Sequence, residues 1–210
     1  GTTDLNTDWT ACTTIARASS ISVSGSQLGS GVSVTIDRKS SSFTHKVEYK
    51  FVESDWTTIS SNAATSASFT PPVSLATQIP SAETGALTVR VTTFNGSTQI
   101  GDSVTKSVNL KVPTNIVPSL SDLSATRIDN GVPSGWGIYV KNKSQVKITA
   151  SGANGAQGST IAGYSITGPG LSVNASSGTS EVLSSTGTLT YTCTVTDTRG
   201  RTASKTVSIN

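Results

Sequence analysis

An all-β fold is what this 210-residue sequence predicts, and three observations carry the prediction. Apolar and polar residues alternate with period two along most of the chain, the pattern of strands with one buried face. Ser and Thr together fill roughly a third of the positions and charged residues only 13%, a charge-poor, β-branched composition that suits a pleated, half-buried surface. Turn residues, drawn from 19 Gly and 7 Pro, interrupt the alternation at the short spacing of a sandwich or barrel. The recurring apolar positions and a net charge of only +3 exclude a disordered chain. No stretch approaches the 18 or so apolar residues of a membrane helix, and none of these residues reads as a secretory signal.

Residues 1–17 read as the last strand and exit linker of a preceding domain, with Trp9, Cys12 and Ile15 as its apolar remnants. Methionine is absent throughout, which reads as a piece of something longer. The first module spans 18–113. Within it Val32, Val34 and Ile36 alternate with Ser and Thr, Val47, Tyr49 and Phe51 with Lys and Glu, and two further strands hold Leu87, Val89, Val91 and Val108, Leu110, Val112. Asn95-Gly96 predicts a type I′ hairpin between strands at 86–94 and 98–112, since both residues tolerate positive φ. Leu75 and Ile79, four apart and bracketed by prolines, predict a single helical turn across the sandwich end.

Pro113 and Pro118, five apart, stiffen the connection to a second module at 114–210 and predict a semi-rigid rod. There Val146 and Ile148, then Tyr164 and Ile166, then Leu189, Tyr191, Cys193 and Val195 repeat the alternation. Residues 151–158 are Gly-rich and predict a long flexible loop. Asp197-Thr198-Arg199-Gly200-Arg201 is a turn with Gly200 in the left-handed conformation. Ala203, Val207 and Ile209 run inward on the last strand, and Lys205 shares their parity with its stem at the sheet rim. This organisation predicts two tandem immunoglobulin-like β-sandwiches, without the paired cysteines flanking a Trp of an antibody-type domain.

Residues able to carry chemistry are few. A pI near 9.0 invites nucleic-acid binding, but the cations are scattered singly, and Lys141, Lys143 and Lys147 read as a solvated strand face. The single histidine, His45, reads as a surface residue, with no second His to build a metal site. Glu48 takes the outward phase of its strand and Glu53 and Asp55 flank a turn, so no buried carboxylate pair is expected. No Ser lies in a nucleophile elbow. Lys50 or Lys106 with Asn109 could form an isopeptide bond, but alternation turns Lys50 and Asn109 outward. A Cys12–Cys193 bridge would join different modules; alternation instead makes Cys193 a small buried thiol, in keeping with folding in a reducing cytoplasm. Trp56, Trp136 and Tyr139 have two readings: rings capping the open ends of the sandwiches, or a speculative platform on which saccharide stacks.

The stretches Thr14-Ile15-Ala16-Arg17-Ala18-Ser19-Ser20-Ile21 and Val34-Thr35-Ile36-Asp37-Arg38-Lys39-Ser40-Ser41-Ser42-Phe43-Thr44-His45, with Gln78-Ile79-Pro80 and Phe94-Asn95-Gly96-Ser97-Thr98-Gln99-Ile100-Gly101, resemble tail proteins of siphophages infecting Gram-positive bacteria. So do Tyr139-Val140-Lys141-Asn142-Lys143-Ser144 and Thr196-Asp197-Thr198-Arg199-Gly200-Arg201-Thr202-Ala203 in the second module. The resemblance implies a minor structural protein of the tail tip or baseplate, assembled in the host cytoplasm and acting outside it, with no catalytic residue to carry over.

The expected function is therefore a non-enzymatic module that spaces or presents receptor-binding domains, without cofactor or metal. Its expected partners are other domains of the same larger chain and neighbouring tail proteins, with a homo-oligomer as an option and neither nucleic acid nor membrane insertion. The alternatives are a carbohydrate-binding module for host cell-surface polysaccharide and the stalk of a bacterial adhesin.

Overall fold

The alternating stretches do pair into sheets. A computed structural model of the chain describes residues 16–133 and 135–210; the remnants assigned to Trp9, Cys12 and Ile15 lie outside them. In chain order the first strands are β1 (Ser20–Ser24), β2 (Val32–Asp37), β3 (Phe43–Phe51), β4 (Thr57–Ala63), β5 (Ser66–Phe69), β6 (Thr84–Asn95), β7 (Thr98–Gln99) and β8 (Val104–Lys111). They form a sheet β1-β2-β5 facing a sheet β4-β3-β6, which β7 and β8 extend by pairing with β6. The remaining strands are β9 (Ser119–Asp129), β10 (Ser144–Asn154), β11 (Ile161–Gly168), β12 (Leu171–Val173), β13 (Ser177–Thr179), β14 (Leu189–Asp197) and β15 (Thr202–Ile209). These give sheets β9-β10-β13 and β12-β11-β14-β15. The strand order of the first sandwich thus recurs in the second.

Each sheet pair closes over its own core. In the first, Val32, Val34 and Ile36 of β2 meet Val47 and Phe51 of β3 and Leu87, Val89 and Val91 of β6. In the second, Val146 and Ile148 of β10 meet Ile166 of β11 and Tyr191, Cys193 and Val195 of β14. Both cores place an aromatic ring against a glycine: a Cβ on Gly85 would fall 2.3 Å from the Phe51 ring, and one on Gly168 the same distance from the Tyr191 ring. Only a residue without a side chain admits the ring so closely. The Tyr191 hydroxyl donates to Pro169 O at 3.0 Å, and the Cys193 thiol is free and buried, its pKa pushed up by desolvation.

The outer faces explain the hydroxyl-rich composition. Thr88 and Ser107 hydrogen-bond across β6 and β8 at 2.9 Å. Thr190 with Ser208 at 2.9 Å and Thr194 with Ser204 at 2.7 Å do the same across β14 and β15. Such cross-strand hydroxyl pairs stabilise a sheet face without charge. At the rim, Lys205 reaches Ser121 O of β9, tying the two sheets of the second sandwich together from an exposed position.

The helical turn between the prolines is present as a 3-10 helix, Val73–Gln78, with Ala76 buried. Gly200 adopts φ +80°, with Gly200 N–H bonded to Asp197 O and Asp197 N–H to Arg201 O, both at 2.9 Å. That pattern is a three-residue hairpin loop ending in a left-handed glycine.

Three expectations need correction. The hairpin after β6 exists, but Asn95 pairs with Thr98, so its two-residue loop is Gly96-Ser97. Of these only Gly96 has positive φ, at +59°, which is the type II′ arrangement with Gly in the first position and not type I′ at Asn95-Gly96. The Gly-rich stretch is not one long loop: β10 continues through Asn154, because Ser151 and Ala153 pair with Asp122 and Leu120 of β9. His45 is not on the surface. It is fully buried, with Nδ1 3.0 Å from Ala63 O and Nε2 2.9 Å from Ser19 Oγ. Ser19, also fully buried, donates its N–H to Thr93 Oγ1 at 3.1 Å. His45 pins the entry of the chain to β3 and β6, and that satisfied network is why an imidazole is tolerated inside.

Candidate functional site

The most elaborate constellation lies where the two sandwiches meet. The Asp197–Arg201 turn is built around the Asp197 carboxylate, whose Oδ1 accepts the Arg199 and Arg201 N–H groups at 2.9 Å each and whose Oδ2 accepts from Ser159 Oγ at 2.9 Å. This brace points two arginines out of the second sandwich. Arg199, 6% exposed, donates Nη2 to Ala76 O of the 3-10 helix at 2.7 Å and Nε to Ile79 O, just after that helix, at 3.2 Å, both in the first sandwich. The same guanidinium donates to Ala156 O at 2.7 Å and Gln157 O at 2.6 Å in its own sandwich. Gln157 has φ +48°, a conformation that costs a non-glycine residue energy unless its surroundings hold it. Arg199 supplies that hold. Burial pulls the Arg199 pKa down, with the Asp197 carboxylate acting against it.

Arg201 grips the connection itself. Its Nη1 donates to Pro113 O at 2.5 Å and Ile116 O at 2.8 Å, its Nη2 to Val112 O at 2.8 Å, and its Nε lies 3.5 Å from Glu83 Oε1. Thr198 Oγ1 adds a bond to Pro80 O at 2.6 Å. Gly158 packs so closely that a Cβ there would sit 2.9 Å from Thr77 Cα. The planar fork of arginine, with five donors and a permanent charge, suits carbonyls that converge from both sides of a joint. Local sequence reasoning looked only to the prolines and missed this tie: the Ile79 and Ala76 carbonyls lie about 120 residues from Arg199, and only two arginines in one glycine turn hinted at them.

The three aromatic candidates lie apart from one another in environment. Trp56 does not cap the core, as the ring-capping reading required. It lies half-buried on the outer face of the β4-β3-β6-β8 sheet, with Arg90 Cζ 4.2 Å and Lys50 Nζ 5.6 Å from its ring centroid. Arg90 is bonded through Nη2 and Nε to Glu48 Oε2 at 2.7 and 3.0 Å, and Lys46 reaches Glu48 Oε1 at 2.7 Å. Glu48 keeps its outward phase but is only 5% exposed. Burial pushes its pKa up, yet Lys46 and Arg90 together outweigh that and hold the carboxyl below its ordinary value. With a guanidinium stacked on it, the Trp56 face is occupied.

Tyr139 does pack against the second core, as capping requires, with Arg127 Cζ 6.0 Å from its ring; burial raises its phenol pKa. Trp136 does not: it is 58% exposed, as are Ile138 at 52% and Val182 at 45%. Lys141 and Lys143 lie exposed in the turn ahead of β10 and Lys147 exposed on the strand. Among the described residues no group of three or more His, Cys, Asp and Glu is placed to hold a metal ion. An open groove of about 620 Å³ runs past Gly170, Leu171, Thr179 and Glu181 and holds a single ionisable side chain, Glu181.

The sheets and the joint define a class: an all-β protein of β-sandwich build whose two cores are clamped end to end by arginines. The whole chain, residues 1–210, matches the family described as siphovirus protein of unknown function (DUF859), and the chain belongs to that family. No curated protein matches it. Among solved structures, the crystal structure of the chicken CNTN1 FN1–FN3 domains is similar at 17% identity and a TM-score of 0.32, over 92% of this chain and 66% of that one. The chain therefore spans just under two thirds of that structure's length.

Proposed function

We propose that this siphovirus protein is a non-enzymatic structural module of the virion, in the tail or baseplate, that spaces or presents receptor-binding domains at a set angle. The observation that supports this reading is the joint. Arg199, Arg201 and Thr198 hold the 3-10 segment and the connection through backbone carbonyls, so rotation of one sandwich against the other breaks several charge-assisted bonds at once. Residues 18–113 and 114–210 then behave as two domains of one rod. Membership of a siphovirus family supports the phage setting over a bacterial adhesin stalk.

The test is small-angle scattering with residual dipolar couplings on the whole chain. One alignment tensor should fit both sandwiches. Arg199→Ala should decouple them and lower the stability of the joint by on the order of 3 kcal/mol, since bonds to a charged group are the strong ones. Arg199→Lys should restore little, because an ammonium cannot serve four converging carbonyls. Two independent tensors in the unaltered chain would overturn the spacer reading. Mass spectrometry of purified particles tests the setting, with the chain expected among the tail proteins.

A second reading, a carbohydrate-binding module for host cell-surface polysaccharide, is favoured by the exposure of Trp136 alone, since Trp56 is covered by Arg90 and Tyr139 is packed on the core. Titration calorimetry with host cell-wall polysaccharide should then give a heat that Trp136→Ala abolishes.

A further inference from the structure

We propose that the exposed end of the second sandwich, around Trp136 and Ile138, is a docking surface for the end of another β-sandwich, entered by a hairpin turn and neighbouring loop of the kind found at 197–201 and 155–160. The argument begins from the repeated strand order. That order makes the connection 25–31 of the first sandwich equivalent to 130–143 of the second. It likewise matches segment 70–83 with 180–188, turn 52–56 with 169–170, and the end of β8 with the end of β15. In the first sandwich this end is the covered one: it offers Ala76 O and Ile79 O to Arg199 and Pro80 O to Thr198, with Thr77 against Gly158.

The equivalent end of the second sandwich is built from the matching connections, without the 3-10 turn, and nothing among the described residues covers it. Asn142 N–H bonds to Leu183 O and Leu183 N–H to Ser144 O, at 2.8 and 2.9 Å, bringing 130–143 and 180–188 together. Of the four exposed large hydrophobic residues among those described, Trp136, Ile138 and Val182 belong to these two segments; Val117, in the connection, is the fourth. Apolar side chains concentrated at one end of a molecule, with an aromatic among them, mark a contact surface. Two recesses of about 80 and 120 Å³ open there, one beside Tyr139 and Leu189 and one beside Gly170 and Val182. Each is well below the roughly 300 Å³ of a small-molecule site and fits single side chains of a turn. Residues 184–187 make no backbone hydrogen bond among the described residues, so their carbonyls stand available at the end where Ala76 O and Ile79 O of the first sandwich, each already accepting a backbone N–H, still take Arg199. The occupant follows from that parallel. The inference extends the spacer reading, since a joint that can be repeated makes a longer rod, but it does not depend on the virion setting.

The experiment extends the chain after Asn210 with a second copy of residues 113–210, so that Asn210 takes the place of Val112, and compares hydroxyl-radical oxidation of Trp136 with that in the 210-residue chain. Oxidation is expected to drop severalfold, and Arg→Ala at the appended copy's equivalent of Arg199 should restore it. Unchanged oxidation with the appended copy folded overturns the proposal. A second variant keeps the test independent of that folding: Trp136→Glu in the 210-residue chain should leave its melting temperature within about 2 °C, whereas a large fall would make Trp136 part of the fold and overturn the docking role. The outcome is separable from the joint test, which reads Arg199 within the chain and never touches Trp136.

Discussion

In the first sandwich four of the five buried polar residues among those described sit within strands, His45 and Glu48 on β3 and Thr92 and Thr93 on β6, with Ser19 just ahead of β1 as the fifth. In the second they gather toward strand ends and turns, at Ser144, Ser159, Ser180, Asp197 and Arg199, while the middle of β14 holds Tyr191, Cys193 and Val195. One strand order thus accommodates two solutions. Mid-strand polar groups find side-chain partners on other segments, Glu48 with Arg90 of the neighbouring strand and His45 with Ser19 ahead of β1. Polar groups in turns find backbone partners, as Asp197 does with two N–H groups. Among the described residues no buried side-chain polar atom lacks a partner. The comparison teaches that topology is set by the apolar faces, while the polar groups decide what each sandwich can be joined to.

The two ring-and-glycine pairs give the largest expected effects. Phe51→Ala and Tyr191→Ala should each cost about 4 kcal/mol in chemical denaturation, the usual range for removing a buried ring. Tyr191→Phe isolates the hydroxyl bond to Pro169 O at about 1 kcal/mol, a term the first sandwich lacks at Phe51. Next, His45→Ala should cost about 3 kcal/mol, because it takes the imidazole from the Ala63 carbonyl and leaves the buried Ser19 hydroxyl only the Lys39 N–H at 3.4 Å. Cys193→Ala, which removes one atom from an apolar site, should cost about 1 kcal/mol. Equal losses at His45 and Cys193 would break the contrast between the sandwiches.

A smaller effect should appear with acid. The folded-state pKa of Glu48 lies below its unfolded value, so its stabilisation is complete above the ordinary carboxylate range, about 4.3, and fades as pH falls through the depressed folded value. Thermal melts across the acid range should therefore show a steeper loss in the native chain than in Glu48→Gln. The smallest effect distinguishes the two turn assignments. Asn95→Ala should change stability by less than about 0.5 kcal/mol, whereas Gly96→Ala, at φ +59°, should cost about 1 kcal/mol.

Much of the fold was legible because burial imposes parity. The inward residues of β2, β6, β10 and β14 are the ones alternation marks, and the same parity already placed His45 inward with Phe43 and Val47. Residue type, read as surface chemistry, argued wrongly against it. Strands such as β13, Ser177–Thr179, carry no apolar pattern and owe their pairing to β10 beside them. Glu48 shows the converse: its outward phase was legible, but the cover given by Lys46 and Arg90 depends on the register between β3 and β6. The joint was least legible, since bonds from Arg199 to main-chain carbonyls leave no trace in the residue types at 76 and 79.

The paired hydroxyls along β6–β8 and β14–β15 have one further consequence. Because Thr88 with Ser107 and Thr190 with Ser208 are uncharged partners, dissolved ions have nothing there to screen. Those hydroxyl pairs should keep the same grip in dilute and in saline surroundings, whereas the Lys46–Glu48–Arg90 group beside them on the β3–β6 face is the part that dissolved ions can loosen.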